Sequence, residues 1–253
     1  MPIRFRRRQV RNWHDFLREI LVITVGVLIA LGASHVAEQW NWDRRIVEAE
    51  SQLAEESAQL FLYAAEAVAV GPCVQAQLEN LRARVQASGD VLDPAPLERD
   101  AFADFVVRIP SRPMGTTTWR ALADDGTVPH LDDDRRVLYA QIEHVVDAMT
   151  RFKDATDNFV GRLRVAALPL PLDPGARLRL LETIEEQRYR SSLHQLMSLQ
   201  VMALVSGLDN VPPATTVDDM IEQSGTAAFC RTQGLPMADW KTVLPPVPAG
   251  DAN

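Results

Sequence analysis

Residues 20–37, Ile-Leu-Val-Ile-Thr-Val-Gly-Val-Leu-Ile-Ala-Leu-Gly-Ala-Ser-His-Val-Ala, form a run of eighteen positions without a fixed charge. Coiled as an α-helix, such a run spans about 27 Å, close to the hydrocarbon thickness of a bilayer. Beyond it the apolar residues fall into stripes. Trp42, Ile46, Ala49, Leu53, Leu60, Tyr63 and Ala67 recur in steps of four and three, with Glu56 the one polar intruder. That spacing predicts a helix continuing out of the apolar run with a coiled-coil-like face. Gly71-Pro72 is expected to end it near residue 69, because proline lacks an N–H and restricts the residue before it. A second helix is predicted from Cys73 to Ala87 on Val74, Leu78, Leu81 and Val85, stopping at Ser88-Gly89.

The remaining pattern continues in the same style. Asp93-Pro-Ala-Pro96 makes a loop, and a short helix is expected from there to about Val107. In Gly115-Thr-Thr-Thr-Trp-Arg-Ala-Leu-Ala-Asp-Asp-Gly126, threonine hydroxyls can cap a helix start and Gly126 suits the left-handed residue after its end. Leu131 opens a long helix to about Ala167, with Leu138, Ile142, Val145, Met149, Phe152, Phe159 and Leu163 on one face and Thr156 breaking it. Leu168 to Gly175 is an extended connector, with Asp173 as cap and Pro174 at the first helical position. The last long helix is expected to reach Val205 on Leu178, Leu181, Ile184, Leu193, Leu196, Leu199 and Ala203, interrupted by Gln187-Arg-Tyr-Arg190. A short helix from Val217 to Cys230 follows Pro212-Pro213, and the tail 244–253 is too rich in Pro and Gly to fold.

No run of alternating β-branched residues bounded by turns occurs, so no strand is expected. The fold class is therefore all-α: one N-terminal transmembrane helix continuing into an exported bundle of three or four long antiparallel helices. The chain divides into a basic cytoplasmic tail (1–19), the transmembrane helix (20–37), a helical exported domain (38–243) and a disordered tail (244–253).

Charge sets the orientation. Arg4, Arg6, Arg7, Arg8, Arg11 and Arg18 precede the apolar run against Asp15 and Glu19, so residues 1–19 carry +4; of the formal −8, the rest of the chain then carries −12. Basic flanks stay on the cytoplasmic side, which places the N-terminus inside and the 216 residues from Glu38 outside. A domain so acidic does not cling to nucleic acid. Trp13, Trp40 and Trp42 flank the run where indole rings favour the headgroup layer. Gly26, Ala30 and Ser34 recur every fourth residue and form a candidate dimer face within the membrane. The rival reading of residues 1–34 is a signal peptide cleaved after Ser34, whose small-residue site is present although the apolar stretch is long for one.

Candidate chemistry is sparse. The sequence carries no Gly-rich phosphate loop, nucleophile elbow or paired histidines on one helical turn. Glu143, His144 and Asp147, and His130 with Asp132, Asp133 and Asp134, are the two groupings able to touch a metal, and a solvated acidic face is the preferred account of both. No cofactor is expected. Cys73 and Cys230 are the two cysteines of the chain and are expected to pair in an oxidising compartment.

Glu19-Ile-Leu-Val-Ile-Thr-Val-Gly-Val-Leu-Ile-Ala-Leu31, followed by Trp40 or Trp42, resembles the N-terminal anchor of a bacterial family of single-span proteins of unknown function. Thr118-Trp-Arg-Ala-Leu-Ala-Asp-Asp-Gly126, with Leu131, Arg135 and Tyr139, resembles that family's exported segment. Where this chain has Ser34-His35-Val36, members more often carry Asn. The resemblance implies an anchored helical domain and brings no activity or catalytic residue. Taken together, the expected protein is not an enzyme. It is a single-pass protein of the bacterial inner membrane with a periplasmic helical domain, acting as an interaction or scaffold module. Its expected partners are the lipid bilayer, an envelope protein and a second copy of itself. The alternative is a sensor-like ligand-binding bundle, which would signal through a partner because only 19 residues stay inside.

Overall fold

The computed structural model describes residues 13–99 and 104–243, so the five arginines before residue 12 and the tail 244–253 lie outside the described residues, as do the side chains of Thr156 and Phe159. It divides into two compact units, Met1–Ala49 and Glu50–Asn253. Helix α1, Trp13–Ala87, begins in the first and ends in the second. Within the first unit the side chains from Ile20 to Ala37 are all exposed, and this helix is long and apolar enough there to cross a membrane. Trp40 is exposed, whereas Trp42 is half-buried beneath the Arg45 guanidinium, 5.4 Å above its ring.

The second unit is built on three long helices: the last part of α1, α3 (Asp133–Leu163) and α4 (Pro174–Ser206). Between α1 and α3 lie β1 (Glu98–Arg99), β2 (Asp104–Phe105) and α2 (Thr117–Asp124). After α4 come α5 (Ala214–Gln223), α6 (Gly225–Thr232) and α7 (Trp240–Val243). Contacts fix the directions. Gln195 reaches Val68, Gln75 reaches Ser192, and Arg177 reaches the carbonyls of Val85, Ser88 and Gly89, so α4 runs antiparallel to α1. Phe152 lies 5.8 Å from the Arg190 guanidinium, and Leu138 lies beside Gly207, so α4 is antiparallel to α3 as well. It follows that α1 and α3 run in the same direction, and the expectation of uniformly antiparallel long helices is corrected. Residues 88–99 and 104–132, with β1, β2 and α2, lie between the end of α1 and the start of α3.

Gly71-Pro72 does not end the first helix. Pro72 sits inside α1, where its missing N–H leaves the Val68 carbonyl without its intrahelical donor and costs about 3 kcal/mol. The Gln195 side-chain amide donates to that carbonyl at 3.4 Å. Gly71 makes the approach possible, since a Cβ there would stand 1.7 Å from Gln195 Nε2. Burial decides the balance. Val68, Val70, Val74 and Leu78 are all buried along this stretch, and each such side chain contributes about 1.5–3 kcal/mol on leaving water. Their sum exceeds the proline cost, so the helix continues.

Other elements also differ from the pattern. Residues 100–103 of the helix expected after Pro96 to about Val107 lie outside the described residues; on either side of them stand β1 and β2 instead, paired antiparallel with Glu98 opposite Phe105. Gln77 explains the extended backbone that follows: its buried carboxamide accepts from Arg108 N at 2.7 Å and donates to Arg108 O at 3.1 Å, as a strand would. Leu92 N and Leu172 N bond to Leu170 O and Asp90 O, tying the loop after α1 to the extended connector before α4. The expected single helix from Val217 to Cys230 is two, because Ser224 leaves helical geometry and its hydroxyl accepts from Ala227 N to cap α6.

On α3 the buried line is Tyr139, Ile142, Val146 and Met149, one step round from the expected Leu138 and Val145. On α4 it is Leu180, Ile184, Gln187, Ser198, Val201, Met202 and Val205; Leu178 and Leu196, placed on the apolar face by spacing, are 58% and 52% exposed. Asp173 caps α4 through Ala176 N at 2.7 Å with Pro174 at the first position, as the sequence predicts.

Two changes probe this core. Gly71→Ala must displace Gln195 and is expected to destabilise the chain by about 1–3 kcal/mol. Gln195→Ala strands the Val68 carbonyl at a similar cost. The double variant should fall well short of the sum, as measured by denaturant unfolding. The structure joins Cys73 on α1 to Cys230 on α6, with Cα atoms 5.9 Å apart. In the native protein, alkylation without reductant should label neither thiol. Cys73→Ser with Cys230→Ser should lower stability by about 2–5 kcal/mol, since the bridge closes a loop of 157 residues.

Candidate functional site

A cleft opens between α1, the 109–114 loop, α3 and α4. α1 supplies Tyr63, Ala67, Gly71 and Val74, so the glycine that admits Gln195 also keeps one wall of the cleft low. The loop supplies Arg112, α3 supplies Lys153, and α4 contributes Gln187, Arg190, Ser191 and His194, three to four residues apart and therefore on one face. The cavity measures about 50 Å³. Among the described residues that line it no carboxylate occurs.

The basic groups are held from behind. Glu66, 2% exposed, accepts from Arg112 Nε at 2.6 Å and also from the Ser224 hydroxyl. The Arg112 guanidinium lies 5.6 Å over the Tyr63 ring. Arg190 pairs with Glu186 at 2.7 Å, one turn away on α4. Burial pushes the His194 imidazole below its ordinary value of 6.5, and the charge of Lys153 adds to that. Gln187 is 1% exposed, and its side-chain oxygen has no hydrogen-bond partner among the described residues. A buried acceptor left unmatched costs about 1–3 kcal/mol.

None of these cleft residues is singled out as a site by the sequence. The one available signal is Gln187-Arg-Tyr-Arg190, which spacing presents as an interruption of a stripe and the fold turns into a wall of the cleft. Thr118–Gly126, Leu131, Arg135 and Tyr139 lie elsewhere in the same unit. Glu56, the polar intruder of the first stripe, accepts from Thr118 N at 2.8 Å and Trp119 N at 3.3 Å, capping α2 from another helix. Thr116, at the cap position, makes no side-chain cap bond, although threonine hydroxyls were expected to cap this helix. Gly126 adopts the left-handed conformation at φ 80°. Trp119 stacks on Tyr139 at 6.1 Å, Tyr139 accepts from Asn210, and Arg135 pairs with Glu50 at 3.3 Å.

The two acidic groupings are engaged with cations or helix ends. Arg120 bridges Glu143 and Asp147, and Arg151 also binds Asp147. Asp132 caps α3 and Asp133 pairs with Arg136. Among the described residues no group of three or more His, Cys, Asp or Glu is arranged to hold a metal ion. Gly26, Ala30 and Ser34 are exposed on α1, and a Cβ at Gly26 would meet nothing within 4 Å. Comparison of the chain with protein-family models, with curated proteins and with solved structures finds no match.

The His194 environment has a pH consequence. A histidine with its folded pKa depressed takes up its proton more readily in the unfolded chain, so stability falls as pH drops below about 6.5. Replacing it as His194→Gln should remove that part of the acid-side loss, read as a flatter dependence of the unfolding midpoint on pH below about 6.5.

Proposed function

We propose that this chain is a membrane-tethered, non-enzymatic helical interaction or scaffold protein of the bacterial envelope. In this reading residues 20–37 cross the inner membrane once, the Arg-rich N-terminus stays in the cytoplasm, and the helical domain stands in the periplasm. The observation that carries it is the full exposure of an uncharged eighteen-residue run on α1, while the later residues of that helix bury their apolar side chains. An apolar surface of that length has lipid as its natural solvent. The Arg excess before the run supports the orientation, and Gly26, Ala30 and Ser34 support close pairing with a second copy. The likeness of the anchor and of Thr118–Gly126 to the single-span family agrees with this reading.

The cleft favours a second reading, a sensor-like ligand-binding bundle that acts through a partner protein. A mostly apolar recess, walled by Ala67, Val74, Ile109, Pro110 and Met114 and carrying a few polar groups such as Ser191 and His194, is what a small ligand with one polar end needs.

Topology is the first test. Reporter fusions after residue 60 should be active outside the cytoplasm and silent inside it, and the membrane-bound chain should retain its N-terminal arginines. Gly26→Arg, midway along the run, should block insertion, at a cost of about 2.5–3.5 kcal/mol at the centre of a span. A soluble chain beginning at His35 would show a cleaved signal peptide and remove the anchor. Purification of the intact protein from membranes should recover an envelope protein with it if it serves as a scaffold.

A further inference from the structure

We infer that the cleft takes a small neutral ligand, a short aliphatic group ending in a hydroxyl or carbonyl that hydrogen-bonds His194. The assignment rests on the ligand-binding reading of the bundle and names its ligand class. The walls give the first criterion. Ala67 and Val74 from α1, with Ile109, Pro110 and Met114 from the loop, make the recess mostly apolar. Hydrocarbon gains by leaving water for such a surface, whereas a strongly hydrated group loses water that nothing there replaces.

Charge gives the second. None of the three cations of the lining is free: Arg112 is held by Glu66, Arg190 by Glu186, and Lys153 has an interaction of its own. An anion would have to displace one of these partners, and a cation would enter beside three positive charges. The neutral class remains. Volume sets the size. About 50 Å³ has room for about three to five water-sized groups, which admits a short aliphatic group with one oxygen and excludes a sugar or a nucleotide.

His194 supplies the polar end. Among the described residues its ring has no hydrogen-bond partner, and neither has the hydroxyl of Ser191, which lines the same recess. Their polar atoms are not among those sealed from solvent, so an entering group can reach them. Burial, with the charge of Lys153 adding to it, holds the imidazole below its ordinary value of 6.5, which leaves it uncharged at neutral pH. A neutral imidazole offers one donor and one acceptor. A hydroxyl or carbonyl oxygen matches it without carrying a charge into the apolar walls.

The test uses the full-length chain in nanodiscs, labelled at the methionine methyls and titrated with isobutanol, isopentane, isobutyrate and isobutylammonium. These probes share one branched carbon skeleton, and the Met114 methyl reports from the wall of the recess. Isobutanol should shift that resonance saturably, and the two ions should bind at least about tenfold more weakly. His194→Leu should weaken isobutanol by about tenfold and leave isopentane as tight or tighter. Retained isopentane binding shows that the variant is folded, which separates lost recognition from lost structure. If His194→Leu weakens isobutanol no more than isopentane, the polar end does not lie at His194 and the assignment falls. Tighter binding of isobutyrate or isobutylammonium than of isobutanol would overturn the neutral class while leaving a ligand-binding bundle standing. Shifts that never saturate, or that every methionine methyl shares, would mean partitioning alone and would overturn the cleft as a ligand site.

Discussion

The Val68 carbonyl is the point on which the packing of the second unit turns. Pro72 deprives it of its intrahelical donor, and the Gln195 amide replaces that donor from α4. The replacement is possible because residue 71 has no side chain. One contact therefore does two things: it lets α1 run on through a proline, and it fixes the height at which α4 lies against α1. The neighbouring contacts follow in register. Gln75 reaches Arg188 O and Ser192 one turn further along, and Arg177 closes the end of α1 by donating to its last carbonyls. Cys73, next to the proline, carries the bridge to α6. A local defect in helix propensity is thus the place where the long helices and the C-terminal segment are joined.

How far the chain reveals this depends on the range of the interaction concerned. Features set within one turn are read correctly from the residues: Asp173 and Pro174 at the start of α4, the apolar face Val74, Leu78, Leu81 and Val85, and the left-handed Gly126. Features set by partners over a hundred positions away are not. Gly71-Pro72 has the local signature of a helix end, and only Gln195 and the burial around it say otherwise. The 97–107 segment has helix-compatible composition, yet the Gln77 carboxamide imposes extended backbone at Arg108. On α4 the apolar residues are spread so evenly that spacing alone blurs the face: Ile184 is buried as expected, but Leu178 and Leu196 are exposed, and Gln187 and Ser198 are buried off the expected stripe.

Polar residues on apolar faces proved the most informative class. Glu56 interrupts a stripe because it caps α2 in place of the threonine that sequence position would nominate. Glu66 is buried because it receives both Arg112 and the Ser224 cap. Gln187 is buried without a partner for its oxygen. Each reads as an intrusion along one helix and as a partner for a second element once the helices are assembled. The cleft escaped the sequence for the same reason. Its cations come from a loop, α3 and α4, within a chain whose overall charge points to an acidic surface.

Glu66 and Glu186 neutralise two of those cations. Neither is among the described residues that line the cleft: Glu66 holds Arg112 and Glu186 holds Arg190 from outside. The disulfide reinforces this arrangement at one remove. It fastens α6 to α1, α6 begins at Ser224, and Ser224 shares Glu66 with Arg112. The orientation of a cleft residue is thereby tied to the same covalent clamp that holds the C-terminal helices in place.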